Sequence, residues 1–226
     1  DSHGDLQLLH TSDPCSARPC HIILNMPLLG RLTPETCIFL LCDVQERFRP
    51  VIHKFDAVIC RSNRLLMAAN ELRMPTLVTE QYPKGLGHTV SEIDVSNLAA
   101  HGGGVFEKTS FSMLSPGVQS HLAALGDKYT NFVVCGLEAH VCVQQTTLDL
   151  LEAGKSVHLC VDGISSSSHT DRAAGLRRSE RAGAVLTTTE AVMMELIRTK
   201  DHPSFKTISN ALKETKLSPD LALEWV

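Results

Sequence analysis

Three side chains of complementary chemistry stand at the ends of apolar runs in this chain. Asp43, Lys108 and Cys142 each follow, directly or after a short turn, a run with the pattern of a buried strand. A cysteine is nucleophilic as its thiolate, which a nearby ammonium group and the first turn of a helix both favour. A carboxylate can accept the thiol proton and return a proton to a leaving amine. Together these residue types would make a coherent catalytic set for a cysteine-dependent hydrolase.

Each of the three residues also has a simpler explanation. Asp43 would cap the helix that follows it, Lys108 would be a solvated surface charge, and Cys142 would pack as a small core residue. Taken singly, these are the commoner roles of such residues, and spacing alone leaves both interpretations open. Their joint position at strand ends is what favours a shared site.

The elements that would position these residues alternate between strands and helices. Strands are predicted at residues 36–42, 76–79, 105–107, 130–135, 156–161 and 184–187, with helical patterns in most of the intervals between them. Such alternation predicts an α/β fold with a parallel sheet covered on both faces. In these sheets ligands bind outside the carboxyl ends of the strands, where all three residues would lie.

Composition excludes several classes of partner. The net charge of -4 and an aromatic content of 4% argue against a nucleic-acid partner. The longest apolar runs, such as residues 38–42, are too short to cross a bilayer, so no membrane partner is expected. The eight cysteines include no pair of CxxC motifs, which argues against structural zinc. Four of them lie in predicted core strands and are expected to be reduced, buried thiols: Cys37, Cys42, Cys135 and Cys160. We expect a cytoplasmic protein, with the mitochondrion as the alternative compartment.

The first residues differ from the rest of the chain. Residues 1–25 show no period, and Met26 would make a natural start. We interpret residues 1–25 as a disordered or artificially added extension in which Cys15 and Cys20 have no structural role. Residues 26–226 are then a single domain, since no linker divides them.

The motifs around the three residues resemble those of the isochorismatase-like cysteine hydrolases. Asp-x-Gln-x-x-Phe begins at Asp43, a segment rich in Ser and Phe follows Lys108, and Gly-x-x-x-x-x-Cys-Val ends at Val143. The similarity extends over about residues 29–196. Within the family, the isochorismatase domain-containing protein 2 subgroup is the most similar at residues 79–87, 108–113 and 146–151.

The resemblance implies a three-layer α/β/α sandwich around a parallel six-stranded Rossmann-like sheet, with a catalytic triad of Asp43, Lys108 and Cys142. It also implies a non-proline cis peptide at Leu137–Glu138, so that the Glu138 and Cys142 amides form an oxyanion hole. The side chains expected to line the substrate pocket are Gln45, Phe48, Tyr82 and Phe111. The resemblance further implies a homo-oligomer, which the apolar residues 191–194 also favour.

The chain departs from the zinc-binding nicotinamidases of this superfamily after the second strand. Those enzymes carry Asp-x-His there, whereas this chain has Glu80-Gln81-Tyr82. Tyr82 cannot replace a histidine ligand on zinc, and His88 is a single histidine in a Gly-rich loop. We therefore expect neither a bound metal nor another cofactor.

These observations favour a cysteine hydrolase that cleaves an amide-type C–N bond of a small molecule through a thioester at Cys142. Family members that hydrolyse a vinyl ether lack the cysteine, so its presence points to C–N chemistry. The alternative is a scaffold or interaction protein that keeps the triad without turnover. A nuclease-like role is the third hypothesis, which the acidic balance and sparse aromatic residues disfavour.

Overall fold

The computed structural model describes residues 30–214. Its strands are β1 (Cys37–Cys42), β2 (Thr76–Gln81), β3 (Gly104–Lys108), β4 (Asn131–Leu137), β5 (Ser156–Ser165) and β6 (Val185–Thr187). Its α-helices are α1 (Phe55–Glu71), α2 (Pro83–Leu86), α3 (Pro116–Leu125), α4 (Cys142–Glu152), α5 (His169–Ala182), α6 (Thr189–Ile197) and α7 (Phe205–Glu214). Two short 3-10 helices span Glu46–Phe48 and Leu98–His101.

The strands form one parallel sheet in the order β3-β2-β1-β4-β5-β6. This is the order of a Rossmann-type doubly wound sheet. The central strands β1 and β4 are buried along their whole length, which explains why they read as continuous apolar runs rather than alternating ones. The predicted six-stranded α/β fold is confirmed.

Two separate cores cover the two faces of the sheet. Alternate residues of β1 divide between them: Phe39 and Leu41 pack with α1, α6 and α7, whereas Ile38 and Leu40 pack with α3, α4 and α5. Successive side chains of a strand point to opposite faces, so one apolar strand supplies both layers. The result is the three-layer sandwich that the sequence predicts.

Strand β5 runs to Ser165 instead of ending at Val161 as predicted. Its register against β4 shifts part-way along, which marks a bulge. Arg172 of α5 closes this irregular stretch, because its Nε donates to the Ile164 carbonyl at 2.8 Å and its Nη2 to the Val161 carbonyl at 2.5 Å. Asp162 and Gly163, which follow Val161, are residue types that usually end a strand. The sequence does not show that Arg172 donates hydrogen bonds to the carbonyl groups of this stretch.

Helix α3 begins at Pro116, a favourable residue for the first helical position, and Ser115 before it makes no side-chain capping bond. In α6, Val192 and Met193 are buried in the core of the protomer itself. The apolar residues 191–194 therefore give less support to an oligomer than their sequence suggests, because two of them are already covered.

Some predictions lie outside the described residues. These are the interpretation of residues 1–25, the roles of Cys15 and Cys20, and the start at Met26. Within residues 30–214, no helix combines the length and the apolar character needed to span a membrane.

Candidate active site

The strand order reverses at the β1–β4 pair, the position where α/β folds commonly bind ligands. Asp43 follows the last residue of β1, and Cys142 is the first residue of α4, just after β4. Lys108 ends β3 at the edge of the sheet, and its long side chain reaches the other two residues across the end of β2. The structure thus brings all three predicted residues together.

Two glycines allow the backbone to come close around the turn before Cys142. A Cβ on Gly136, whose φ is +119°, would lie 2.2 Å from the Cys42 carbonyl oxygen of β1. A Cβ on Gly175 of α5 would lie 2.4 Å from the Ala139 carbonyl oxygen in the turn itself. Both positions therefore require glycine for steric reasons, and they allow the turn before Cys142 to pack closely between β1 and α5.

The Lys108 ammonium group is the centre of the cluster. Its Nζ lies 2.7 Å from Asp43 Oδ2, 2.6 Å from Gln81 Oε1 and 3.7 Å from Cys142 Sγ. It also donates to the carbonyl oxygens of Ser110 at 3.2 Å and Phe111 at 2.9 Å. Burial alone would lower the pKa of Lys108, but the adjacent acidic groups outweigh this effect and raise it. The charged form of Lys108 is therefore favoured beside the thiol.

Asp43 is completely buried at the end of β1. Its φ of 52° lies in the left-handed region, where Asp is one of the few non-glycine residues found with any frequency. Oδ1 accepts a hydrogen bond from Thr79 Oγ1 at 2.8 Å, and Oδ2 is paired with Lys108. Burial raises the pKa of Asp43, although Lys108 and Thr79 act in the opposite direction. A raised pKa brings this carboxylate closer to the range in which a general base also works as an acid.

The simpler explanations of these residues are wrong for Asp43 and Lys108. The carboxylate of Asp43 binds Lys108 and Thr79, and the residue at the cap of the following 3-10 helix is Gln45. The side chain of Lys108 is fully buried and paired rather than solvated. Cys142 is 6% exposed and packs against one core, but its sulfur also faces the ammonium group.

The turn before Cys142 has the cis peptide between Leu137 and Glu138 that the resemblance implies. Outside regular helices and strands, the Glu138 and Cys142 amides donate no backbone hydrogen bond to another residue of 30–214. The Glu138 carbonyl accepts from the amides that flank Cys142, and its carboxylate accepts from the Ser167 amide at 3.2 Å. The Glu138 side chain is thus held by the loop after β5.

Gln45 and Phe48, two of the four expected pocket residues, have other contacts. Gln45 is fully buried; its Nε2 donates to the Gln81 and Gly87 carbonyls, and its Oε1 accepts from the Gln81 amide at 2.7 Å. All its amide atoms are therefore engaged with backbone, so it joins β2 to the following loop. Phe48 is half-buried and packs against the core of α1, α6 and α7.

Tyr82 and Phe111, the other two, lie close to Lys108 and are exposed by 54% and 52%. Tyr82 lines a cavity of about 500 Å³ together with Lys84, Lys108 and the first residues of α3. The carbonyl of Phe111 binds the Lys108 ammonium group, which fixes the backbone below its exposed ring. Contact of either ring with a substrate stays a prediction.

Sequence reasoning missed Thr79, Gln81 and Cys42. Thr79 and Gln81 lie two residues apart on β2, so both point to the same face, where they bind Asp43 and Lys108. The available signal was the pair of polar residues at the carboxyl end of an otherwise apolar strand. Cys42 was interpreted only as a buried strand thiol, yet its sulfur lies 3.6 Å from Asp43 Oδ2.

Glu80, at the position where Asp is expected in the nicotinamidases, forms a pair with His88 of the loop after β2. Glu80 Oε2 lies 2.8 Å from His88 Nδ1, and Oε1 accepts from the Thr89 amide at 2.7 Å and from its hydroxyl at 2.8 Å. Glu80 is buried, which by itself would raise its pKa, but these bonds outweigh burial and lower it. Its carboxylate therefore anchors the loop after β2.

We expect Glu80→Gln to destabilise the fold by about 1–3 kcal/mol at neutral pH, because the buried charged acceptor is lost. The lowered pKa means that ionised Glu80 stabilises the fold above about pH 4.5. This contribution disappears as the pH falls through the folded-state pKa. Urea unfolding of both proteins at neutral and acidic pH measures it. Glu71→Gln, at an exposed position, is the control and should change little; a difference that persists in acid would contradict the explanation.

Side chains of types that can bind a metal also lie together around Cys142. Among residues 30–214, Cys42, Asp43 and Cys142 offer ligand atoms that all lie within 4.8 Å of one another. The Lys108 ammonium group is already bound to Asp43 and faces Cys142, so a metal cation would have to displace it or suffer its repulsion. The donor set fits the ammonium group better, and the absence of a metal stays a prediction.

A model of the isochorismatase domain matches residues 37–191, most of the described fold. The chain belongs to the isochorismatase family. The resemblance inferred from the motifs is thereby confirmed, and the chain contains an isochorismatase-family hydrolase domain.

Relatives named isochorismatase domain-containing protein 1 and isochorismatase domain-containing protein 2 both match the chain. Isochorismatase domain-containing protein 1 of Salmo salar is 44% identical over 202 residues, covering 89% of this chain and 70% of the relative. Isochorismatase domain-containing protein 2 of Danio rerio is 44% identical over 195 residues, covering 86% and 95%. A solved structure of MAR1 ribonuclease from Caenorhabditis elegans is 43% identical with a TM-score of 0.77, covering 87% of this chain and 98% of that one.

Proposed function

We propose that this isochorismatase-family protein is a cysteine hydrolase that cleaves an amide-type C–N bond of a small molecule. The proposal rests on one observation. A buried ammonium group, that of Lys108, lies 2.7 Å from a buried carboxylate and 3.7 Å from a thiol at the start of a helix. Lys108 would stabilise the thiolate, Asp43 would move protons, and Cys142 would attack the carbonyl carbon.

In the first half of the reaction the Cys142 proton passes to Asp43, and the sulfur adds to the substrate carbonyl. The charge that develops on the substrate oxygen would be stabilised by the amides of Glu138 and Cys142. Asp43 then gives the proton to the leaving nitrogen, which departs as an amine or ammonia. The acyl group stays on Cys142 as a thioester.

In the second half a water molecule loses a proton to Asp43 and attacks the thioester. The carboxylic acid product leaves as Asp43 returns the proton to the Cys142 sulfur, which restores the starting thiol beside Lys108. Asp43 therefore serves as base and acid in both halves, which suits a carboxyl group whose pKa is raised by burial. A cavity of about 500 Å³ adjoins the backbone at Lys108, but neither Asp43 nor Cys142 lines it, so the proposal does not rest on that cavity.

We expect Cys142 to be alkylated faster than any other cysteine of residues 30–214. Cys37, Cys42, Cys135 and Cys160 are buried in strands, where burial raises the pKa of each thiol. Limited labelling with iodoacetamide followed by peptide mapping tests this. Preferential labelling of Cys60, which is half-buried on α1, or of a strand cysteine would count against the proposal.

Turnover is tested by incubating the protein with a panel of small primary amides and measuring ammonia release. Release from at least one amide should disappear in Cys142→Ser and in Asp43→Asn, while Glu71→Gln keeps the wild-type rate. A reactive Cys142 without release from any compound would favour the scaffold alternative, in which the triad is kept without turnover.

Ribonuclease activity is the second candidate, because MAR1 ribonuclease is 43% identical over most of the chain. We propose the amide reaction ahead of it, since the acidic net charge and low aromatic content offer little for an RNA strand. A labelled single-stranded RNA should stay intact in the presence of the protein. Cleavage that is lost in both Cys142→Ser and Asp43→Asn would reverse this order.

A homo-oligomer stays a prediction from the family resemblance. Light scattering at micromolar concentration should give at least twice the mass of one 24.7 kDa chain. A monomer in that measurement would refute it.

A further inference from the structure

Cys42 is a buried thiol that the proposed reaction does not use. Its sulfur, that of Cys142 and a carboxylate oxygen of Asp43 all lie within 4.8 Å of one another. We propose that Cys42 and Cys142 form an oxidative modification site, in which a hydroperoxide converts the two thiols into a disulfide. The disulfide masks the nucleophile until a thiol reduces it. The inference rests on the proposed function in one respect only, namely that formation of the disulfide would stop hydrolysis.

The fold sets these two cysteines apart from the others of residues 30–214. Cys42 ends β1 and Cys142 begins α4 after β4, the neighbouring strand, and both thiols belong to the same core. The thiols of Cys37, Cys135 and Cys160 belong to the core on the opposite face of the sheet. The sheet therefore separates them from Cys142.

Closing the disulfide needs only a local movement. The two sulfurs must approach from within 4.8 Å to a bond length of about 2.05 Å. Rotation about χ1 of Cys142, which sits at the start of a helix rather than inside a strand, moves its sulfur by a comparable distance. Cys42 is held by the sheet on both sides, so Cys142 is the partner that moves.

The first step oxidises Cys142. Its thiolate attacks one oxygen of the hydroperoxide, an S–O bond forms, and the O–O bond breaks. The second oxygen leaves as hydroxide or alkoxide and takes up a proton, so the peroxide is reduced by two electrons. Cys142 is left as a sulfenic acid. Lys108 assists, because its ammonium group lies 3.7 Å from the sulfur on which the thiolate charge resides.

The second step uses Cys42 as the resolving thiol. Burial raises the pKa of Cys42, so it needs a base, and its sulfur donates to Asp43 Oδ2 at 3.6 Å. Asp43 takes the proton as the Cys42 sulfur attacks the Cys142 sulfur. The S–S bond forms, the S–O bond breaks, and the hydroxide leaves as water with that proton. Two thiols have lost two electrons in all, which matches the reduction of one peroxide.

The experiment treats the full chain with hydrogen peroxide, blocks the remaining thiols, and maps the unreduced peptides by mass spectrometry. We expect a linked peptide pair containing Cys42 and Cys142, and a loss of Cys142 alkylation that dithiothreitol restores. In Cys42→Ala the sulfenic acid has no resolving thiol, so it oxidises further and dithiothreitol restores little. Cys160→Ala, another buried strand cysteine, is the matched control and should behave as the wild type.

Other results would overturn the inference. These are a Cys142 sulfinic acid without a linked peptide, a disulfide from Cys142 to Cys15, Cys20 or Cys60, and equal recovery in Cys42→Ala. Resistance of Cys142 to peroxide would do so as well. If Cys42→Ala folds poorly, Cys42→Ser provides the same readout with a smaller change in volume. None of these measurements uses a substrate, so a failure of amide hydrolysis is distinguishable from a failure of the disulfide.

Discussion

Asp43→Asn should slow hydrolysis about 10²–10⁴-fold, the range typical of lost general acid–base catalysis. Asn keeps the shape of Asp43 and can still accept a hydrogen bond from Thr79, but it cannot take a proton from the Cys142 thiol. Alkylation of Cys142 should slow by a smaller factor, because Lys108 remains 3.7 Å from the sulfur in the wild-type geometry.

The stability of this variant should fall by only about 1–3 kcal/mol, since one charged hydrogen bond is weakened. The Lys108 ammonium group keeps the oxygen atoms of Gln81, Ser110 and Phe111 as acceptors. Thermal unfolding and the rate of Cys142 alkylation together test whether Asp43 is the base, and neither measurement needs a known substrate. If both match the wild type, Asp43 is not the base.

The pH dependence gives a second test of the same residue. The wild-type rate should fall as acid protonates Asp43, at a pKa above its usual 3.8 because the carboxyl group is buried. The acid limb of the pH profile should be absent in Asp43→Asn, whose residual rate depends on other groups. If the acid limb is unchanged in Asp43→Asn, a group other than Asp43 is responsible for it.

Lys108→Met should destabilise the fold by about 3–5 kcal/mol at neutral pH, the usual cost of removing one partner from a buried ion pair. Asp43 would then be an ionised carboxylate with 0% exposure and no counter-charge. The loss should shrink as the pH falls through the pKa of Asp43, because a protonated carboxyl group needs no partner. Cys142 alkylation should slow as well, since the cation beside the sulfur is gone.

The controls separate charge from volume. Lys84→Met changes an exposed lysine beside the same cavity and should leave stability and alkylation near wild type. The double variant Lys108→Met/Asp43→Asn should recover much of the lost stability but none of the reactivity, which a double-mutant cycle quantifies. If the double variant is as unstable as the sum of the two single changes, the ion pair is not the reason for the loss.

The family resemblance implied the triad, and the expectation of a shared site also had support from a general property of parallel sheets. Their carboxyl ends share one edge, so Asp43, Lys108 and Cys142 had to approach one another once each was assigned to the end of a strand. The sequence did not predict which side chains complete the cluster. Thr79 and Gln81 are two polar residues on a strand, and only the register of β2 against β1 and β3 turns them towards Asp43 and Lys108.

Gln45 and Cys42 show the limits of motif reasoning. Gln45 belongs to the motif that begins at Asp43, but backbone groups from β2 and the following loop engage its whole amide. Cys42 was correctly expected to be buried in a strand, and yet its position beside Cys142 depends on its register opposite Gly136 of β4. The register of the strands and the path of the loop after β2 depend on the assembled sheet, so a single sequence shows little sign of them.

Capture of the acyl-enzyme tests the central claim most directly. The protein is mixed with an amide that it hydrolyses, quenched in acid during turnover, and mapped by mass spectrometry. We predict the mass of the acyl group on the peptide that contains Cys142, released by hydroxylamine as expected for a thioester, and absent from Cys142→Ser. Product formation without an acyl group on Cys142, or turnover that survives Cys142→Ser, would contradict the account.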